Sequence, residues 1–313
     1  MIGHSEFANV TVSAEAFSFA AMTFQDHFSE LKEKLNGPYD KGESNAIAKL
    51  VADYFYRTQN TSSSSIPSPQ QIEQINTYTK QLLNRRPVQY VLNEAWFYNL
   101  AFEVNEHVLI PRPETEELVD LIIHEVQNIK YEAQTGSTSY SEPRTSFLDI
   151  GTGSGCIPLS IKKNILDAEV SAVEVCSEAL HVAMSNAVQH ETAINFHLLD
   201  FLDESKWNEL GIYDIIISNP PYIKTSESNS MSAHVLQYEP HKALFVPDDD
   251  ALLFYKKIAD FALMHLAPNG TVYVEINQQL GKETADVFFK KGFKEVLLLK
   301  DMSGNERFVK ASF

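Results

Sequence analysis

Apolar residues recur at intervals of three and four along the first part of the chain. Phe24, Phe28, Leu31 and Leu35 share one helical face, and Ile47, Leu50, Val51, Tyr54 and Phe55 share another. The run from Thr61 to Pro69 reads as a polar loop, after which Ser68 or Pro69 opens a third helix through Ile72, Ile75, Tyr78 and Leu82. These stripes predict a small helical bundle over residues 22–85. The period then changes to two: Val91, Ala95 to Tyr98 and Ala101 to Val104 alternate around Asn99-Leu100, predicting a β-hairpin linker over 86–113. Pro111 and Pro113 stiffen the chain into an extended approach, and Glu114 to Glu117 suit the first turn of a helix. Residues 131–145, rich in Gly, Ser, Thr and Pro, read as a solvated loop.

From residue 146 onward short apolar runs alternate with amphipathic ones. Strands are predicted at 146–150, 169–175, 194–198, 213–218, 270–276, 294–300 and 305–311. Helices are predicted near 156–164, 177–190, 250–266 and 279–291. Such a series builds an α/β domain over 114–313, with a parallel sheet covered on both faces. Only Asp301 to Gly304 separate the last two strands, too few residues for a crossover, so these two form an antiparallel hairpin. A seven-stranded Rossmann-like sheet ending in a hairpin fits this order better than a dehydrogenase fold.

Two turns carry the chemistry. The first strand runs through Asp149 and Ile150 into Gly151-Thr152-Gly153-Ser154-Gly155, at the carboxyl end of a strand, where open α/β sheets bind ligands. The Gly-x-Gly-x-Gly spacing departs from the Gly-x-Gly-x-x-Gly of pyrophosphate-binding folds and suits a methionyl-adenosine ligand. Asp149 is placed near that ligand's ammonium group, directly or through water. Glu174, ending the second strand about twenty residues on, is placed to accept from ribose hydroxyls, a role common to NAD and S-adenosylmethionine sites. Asp200-Phe201, after the third strand, offers an acid and an aromatic face to adenine, with core packing the other reading of Phe201.

The fourth strand runs into Asn219-Pro220-Pro221-Tyr222. An amide or exocyclic amino nitrogen has a delocalised lone pair and is a poor nucleophile. The Asn219 side-chain oxygen and the Pro220 carbonyl can accept both of its N–H hydrogens and aim the lone pair at a sulfonium methyl, in line at about 3–3.5 Å. Accepting those hydrogens also stabilises the charge that grows on nitrogen. Pro220 holds Asn219 extended, and Tyr222 presents a flat face to a planar target.

The formal net charge, 25 − 42 = −17, weighs against enzymes that grip nucleic acid through phosphate contacts, including adenine or guanine amino-methyltransferases. Cys156 and Cys176 make no disulfide framework and read as small buried thiols of a reducing, cytoplasmic compartment. The ten histidines show no metal-ligand spacing, and no metal is expected. No run of about 18 apolar residues is present, so no membrane span is expected. Residues 1–21 lack the basic and apolar regions of a secretory signal and are left as an unassigned extension. Intact glycines and an intact Asn-Pro-Pro-Tyr turn disfavour a catalytically dead scaffold.

Over roughly residues 24–313 the chain resembles the PrmC/HemK family of release factor glutamine N5-methyltransferases. The matching segments are Arg86 to Tyr90, Leu109 to Glu116, Asp149 to Gly155, Asn219 to Tyr222, Tyr238 to Pro240 and Gly304 to Arg307. The stretch Ile110-Pro111-Arg112-Pro113-Glu114-Thr115-Glu116 is the most specific, and enzymes that methylate a ribosomal-protein glutamine look different there. The resemblance implies a class I methyltransferase domain and S-adenosyl-L-methionine as methyl donor, leaving S-adenosyl-L-homocysteine. The implied target is the glutamine of the Gly-Gly-Gln loop of class I peptide chain release factors. It also implies that Gly151 to Gly155, Glu174, Phe201 and Asn219 contact the donor, and that Asn219 to Tyr222 hold the substrate amide. The helical domain would dock the release factor, and the enzyme would act as a monomer. The chain departs from the family pattern at Glu174, where aspartate is common, at Asn93 and Asn277, where glycine is expected, and over Phe245 to Ala251. Arg112 and Thr115 match the motif without an assignable role.

Overall fold

A computed structural model of the chain describes residues 22–135 and 145–313, so the unassigned extension at 1–21 lies outside the described residues. The described residues divide after Leu83 into two compact units. The first is helical: α1 (Phe24–Leu35), α2 (Lys41–Thr58) and α3 (Pro69–Leu83). Side chains fix the helix starts. Thr23 and Asp26 form a capping box on α1, and Asp40 caps α2. Ser68 and Gln71 exchange side-chain hydrogen bonds with each other's backbone at the start of α3, so Pro69 occupies the first helical position. Phe24, Phe28 and Phe55 pack ring against ring at the centre of this unit. Of the predicted α2 stripe, Leu50 lies at the edge and is exposed.

The second unit begins with a single-turn helix, α4 (Val88–Leu92), which the sequence pattern did not predict. Five residues are too few to display a helical period. It ends at Asn93, held at φ 52°. Asparagine tolerates that left-handed conformation, which accounts for its standing where glycine is expected. A hairpin follows, β1 (Glu94–Phe97) and β2 (Leu100–Glu103). Its turn is Tyr98-Asn99, one residue earlier than predicted, with both residues at positive φ. Glu116 accepts from the Tyr98 N–H at 3.1 Å and helps fix this turn. Tyr90, Phe97 and Phe102 are buried in the core of this unit, so the predicted linker segment is part of the core's wall.

After the hairpin come α5 (Pro113–Thr135), β3 (Ser146–Ile150), α6 (Cys156–Asn164), β4 (Glu169–Glu174), α7 (Ser177–Gln189) and β5 (Asn195–Leu198). Helix α5 reaches Thr135, beyond the predicted start of a loop at 131, and 136–144 lie outside the described residues. Next are β6 (Tyr213–Ser218), β7 (Ile223–Lys224), α8 (Ala233–Tyr238) and β8 (Phe245–Val246). The chain ends through α9 (Leu253–His265), β9 (Leu266–Glu275), α10 (Gly281–Lys290), β10 (Glu295–Lys300) and β11 (Glu306–Ser312). The seven-stranded sheet has the order β10-β11-β9-β6-β3-β4-β5, with β11 antiparallel to both neighbours and the other pairs parallel. The predicted mixed sheet is therefore present.

Successive residues of the central strands enter opposite cores. Phe147, Ile215, Ile217 and Tyr273 face the layer containing α5, α6 and α7. Leu148, Ile216, Val272 and Val274 face the layer containing α9 and α10. Each such fully buried side chain stabilises the fold by about 1.5–3 kcal/mol relative to exposure. The consequence for function is topological. Strand order reverses between β3 and β6, and a crevice opens at their carboxyl ends. The glycine-rich turn follows β3 and the Asn-Pro-Pro-Tyr turn follows β6, so both lie at that crevice.

Candidate active site

The turn after β3 explains its own sequence. Gly151, Gly153 and Gly155 all have positive φ, at 79°, 55° and 80°. A side chain is disfavoured at such angles, which accounts for glycine at alternate positions. At Gly155 there is a second reason. A Cβ there would lie 2.9 Å from Leu159 Cδ1 and 3.2 Å from Ala183 Cβ, so glycine lets α6 and α7 approach the turn. At Gly153 a Cβ would meet no protein atom within 4 Å. Buried Asn186 on α7 donates to the Ser154 carbonyl at 2.9 Å and bonds the Glu103 backbone in both directions, which fixes the turn against the hairpin.

Above this turn lies a cavity of about 660 Å³. Among the predicted donor-site residues, Gly151, Thr152, Gly153, Ser154, Glu174, Asp200, Phe201 and Asn219 line it, together with Pro220 and Pro221. Its size and mixed lining suit a small-molecule ligand. Phe201 lines the cavity and also packs in the core, 5.6 Å from Trp207 and 5.3 Å from Phe261. Asp200 is exposed at the wall and accepts from the Leu202 N–H. Glu174 is already engaged. Its carboxylate accepts from the backbone N–H groups of Gly153, Val175 and Cys176 at 2.9–3.0 Å. That fills three of about four acceptor positions and leaves capacity for one further donor. Cys156 is buried and Cys176 only half-buried, and both border the cavity as free thiols.

Asp149 and Gly155 do not line the cavity. Asp149 is sealed beneath the turn at 1 % exposure, and both carboxylate oxygens lack a hydrogen-bond partner among the described residues. Burial pushes its carboxyl up to about 7; the nearby Thr152 hydroxyl, which makes no well-formed hydrogen bond to it, offsets this only in part, and the Glu174 charge adds to it. A buried, uncompensated acid under a glycine cradle is complementary to a cationic ligand above it. The open space at Gly153, the cavity and this acid together fit a sulfonium-bearing nucleoside. The acid also has a measurable consequence. Between the ordinary carboxylate range and about pH 7 the unfolded chain has released a proton that the fold retains, so stability falls as pH rises through that window. Asp149→Asn is therefore expected to raise the melting temperature of the ligand-free protein at pH 8, by an amount worth at most roughly 4 kcal/mol. The gain should vanish near pH 4. Equal melting shifts at both pH values would show that Asp149 is not the group responsible.

Asn219 and Pro220 also face a second, smaller cavity of about 310 Å³, bordered by Leu109, Arg112, Tyr222 and Met231 among others. The two residues thus form a wall common to both spaces. Pro220 is buried and Asn219 half-buried. The Asn219 side-chain nitrogen donates to Thr115 Oγ1 at 2.9 Å, which leaves Oδ1 as the acceptor of that side chain. Thr115 Oγ1 in turn donates to Glu275 Oε2 at 2.7 Å, and Tyr222 OH donates to Glu275 Oε1 at 3.1 Å. Glu275 closes β9 at 1 % exposure. Burial raises its carboxyl to about 7 against the lowering effects of Thr115, Tyr222 and Arg307. Burial next to Glu275 also pushes the Tyr222 phenol above its usual range, which keeps it protonated and donating.

Two roles that the sequence left open are visible here. Thr115 holds Asn219. Arg112 lines both cavities and donates to Glu239 at 2.6 Å, and Glu239 is buried, so residues 109–116 are tied to 238–240. Arg307 contacts Asp301 at 3.1 Å and lies near Tyr222 and Glu275. Motif segments far apart in sequence thereby meet around one turn. Sequence reasoning missed Glu275 because a lone acid at the end of an apolar strand reads as a solvated charge. Asn277, where glycine is expected, has a φ of −66°, so no positive φ is required there.

The seven-stranded mixed sheet and a ligand crevice at its switch point define a class I, Rossmann-like methyltransferase, a class that uses S-adenosylmethionine. Three comparisons extend this. The family model Methyltransferase small domain matches residues 138–246. The chain is 40% identical over 296 residues to the release factor glutamine methyltransferase of Flavobacterium psychrophilum, covering 93% of this chain and 100% of that protein. It is 35% identical to the protein of that name from Streptococcus pneumoniae, covering 90% of this chain and 95% of that protein. Among solved structures, the hMettl16 catalytic domain, crystallised with the MAT2A 3'UTR hairpin 6, superposes with a TM-score of 0.50. It covers 79% of this chain and 82% of that one at 16% identity, a likeness of fold alone. The chain belongs to the release factor glutamine methyltransferase family. No helix among the described residues is long and apolar enough to cross a membrane.

Proposed function

We propose that this chain transfers the methyl group of S-adenosyl-L-methionine to the side-chain amide nitrogen of the glutamine in the Gly-Gly-Gln motif of class I peptide chain release factors. One observation carries this reading: Asn219 and Pro220 form a wall shared by the donor-sized cavity and the smaller one beside it. An acceptor amide in the smaller cavity would be held by the same residues that border the donor.

The donor supplies an electrophilic methyl group and a sulfonium leaving group. The chain's own residues supply placement. Gly151 to Ser154 let the backbone come close to the donor, and Glu174, Asp200 and Phe201 border the space for its nucleoside. Asn219 Oδ1 and the Pro220 carbonyl accept the two N–H hydrogens of the glutamine amide, which turns its lone pair toward the donor cavity. This orientation, in line at about 3–3.5 Å, provides most of the rate gain. The two acceptors also stabilise positive charge building on nitrogen. No residue need deprotonate the amide beforehand; its proton leaves to solvent after the nitrogen–carbon bond has formed. Tyr222 borders the smaller space and Pro221 the donor-sized one, and the phenol of Tyr222 is turned away to Glu275. Asp149, beneath the turn, is the proposed counter-charge to the cationic donor: burial holds its carboxyl up to about 7 in the ligand-free protein, and a positive ligand above it favours the ionised form.

The helical unit is the proposed docking element for the release factor, and the enzyme is proposed to act in the cytoplasm as a monomer. Mass spectrometry of a release factor after incubation with this protein and donor tests the reading. A gain of one methyl, mapped to the Gly-Gly-Gln glutamine, is expected. An unmodified glutamine, with donor binding intact by calorimetry, would overturn the substrate assignment and direct the search to ribosomal proteins.

A further inference from the structure

We propose that Thr115 and Glu275 are positioning residues that set the polarity of the Asn219 amide, so that its oxygen and not its nitrogen faces the acceptor. The inference rests on the reading of Asn219 as the acceptor of the glutamine N–H groups. A primary amide is almost symmetrical in shape, and rotating it by half a turn exchanges an acceptor for a donor at nearly the same position. In the rotated state two NH2 groups would face each other across the methyl-transfer site. Something must exclude that state.

The exclusion follows from counting protons. An ionised carboxylate can only accept, so both hydroxyls that touch Glu275 must donate to it. Thr115 has one hydroxyl proton, and it is committed to Glu275 Oε2. Its oxygen can then only accept, and the group 2.9 Å away on Asn219 must be the nitrogen. A third hydroxyl, from Tyr255 on α9, donates to the Glu275 backbone carbonyl at 3.1 Å and pins the end of β9. The chain of three side chains is short, and Thr115 and Glu275 are both buried, at 2 % and 1 % exposure.

Protonating Glu275 frees the relay to run backward. The acid proton can be donated to Thr115, the Thr115 hydroxyl can turn to Asn219 Oδ1, and the amide nitrogen then faces the acceptor. No bond other than hydrogen bonds changes. The charged and titratable groups around Glu275 are Glu114 on α5, Tyr222 after β6, Tyr255 on α9 and Arg307 on β11, with Asp301 paired to Arg307. Arg307 favours the ionised carboxyl and Glu114 opposes it, while burial raises its titration to about 7. The methyl-transfer rate of the donor-saturated enzyme should therefore rise with pH through this range.

The test uses the full chain with asparagine labelled by 15N. The Asn219 side-chain NH2 pair is assigned by its loss in Asn219→Asp. In the wild type at pH 8 the pair should be protected from solvent exchange, and it should shift as pH is lowered through about 7. Thr115→Val, which keeps shape and removes the hydroxyl, should lose the protection, and Thr115→Ser should restore it. In Glu275→Gln the pH-dependent shift should disappear. With release factor as substrate, Thr115→Val and Glu275→Gln should lower kcat by about 10- to 100-fold. Donor affinity should stay near that of the wild type, and Thr115→Ser should remain active. The rise of kcat with pH should flatten in Glu275→Gln. A residue that merely ties α5 to the sheet would lower the melting temperature in Thr115→Val and leave the amide resonance, kcat and pH profile in place, and that result would overturn the proposal. The resonance is read without any acceptor present, so failure of the wild type to methylate the release factor would count against the proposed substrate and not against the relay.

Discussion

Asn219→Ala is expected to lower the methyl-transfer rate of the donor-saturated enzyme by about 10²–10³, the loss typical of removing one group that stabilises developing charge. The substitution deletes the acceptor facing the glutamine and leaves the backbone of the turn, which the two following prolines hold extended. Donor affinity should change far less, because Asn219 is one of many residues that border the donor cavity, among them the glycine turn, Glu174 and Phe201. Single-turnover kinetics with donor in excess separates the two quantities. A collapse of donor binding with an unchanged single-turnover rate would recast Asn219 as a donor-binding residue alone. Thr115 would lose one partner in this variant but keep Glu275, so the buried carboxyl stays satisfied and the fold should survive.

Gly153→Val is expected to weaken donor binding by about 10- to 100-fold or more, measured by calorimetry, as overfilling a fitted space costs about 1–3 kcal/mol. A side chain at Gly153 meets no protein atom within 4 Å and grows into the cavity. The variant also carries backbone strain, because φ there is 55°. Gly292→Val separates these effects. Gly292 likewise has positive φ, at 98°, with open space around it, and it lies between α10 and β10, away from the cavity wall. It should lose folding stability and keep its donor affinity. Equal loss of donor affinity in both variants would mean that strain, not occupancy, is the cause.

What the sequence revealed and what it hid divide along physical lines. The strands of the sheet were legible because their apolar runs are bounded by turn residues, and β3, α6 and β6 lie where the pattern places them. The crevice was legible because the glycine turn and the Asn-Pro-Pro-Tyr turn each occupy consecutive residues. Glu275 was not legible, because its importance depends on three hydroxyls that arrive from α5, the turn after β6, and α9. Helix α4 was hidden because a single turn has no periodicity to detect. Asp149 was visible as an acid closing an apolar strand before the glycine turn, but its enclosure under the turn, off the cavity wall, depends on packing that no local pattern encodes. Arg112 could be seen as part of a motif, while its partner Glu239 lies 127 residues away.

Strand β11 lies between β9 and β10 although it follows both in the chain. During synthesis from the amino end, β9 and β10 therefore leave the ribosome before the strand that joins them. Until residues 306–312 emerge, β9 has an unpaired edge next to Glu275, whose register partner is Phe308. A chain interrupted at residue 305 would contain the glycine turn, the Asn-Pro-Pro-Tyr turn, Thr115 and Glu275. It would nonetheless expose an apolar strand edge of the kind that recruits other nascent chains into aggregates. Completion of the sheet that carries the active site is thus a late event in the life of the polypeptide, decided by a strand that contributes no side chain to either cavity wall.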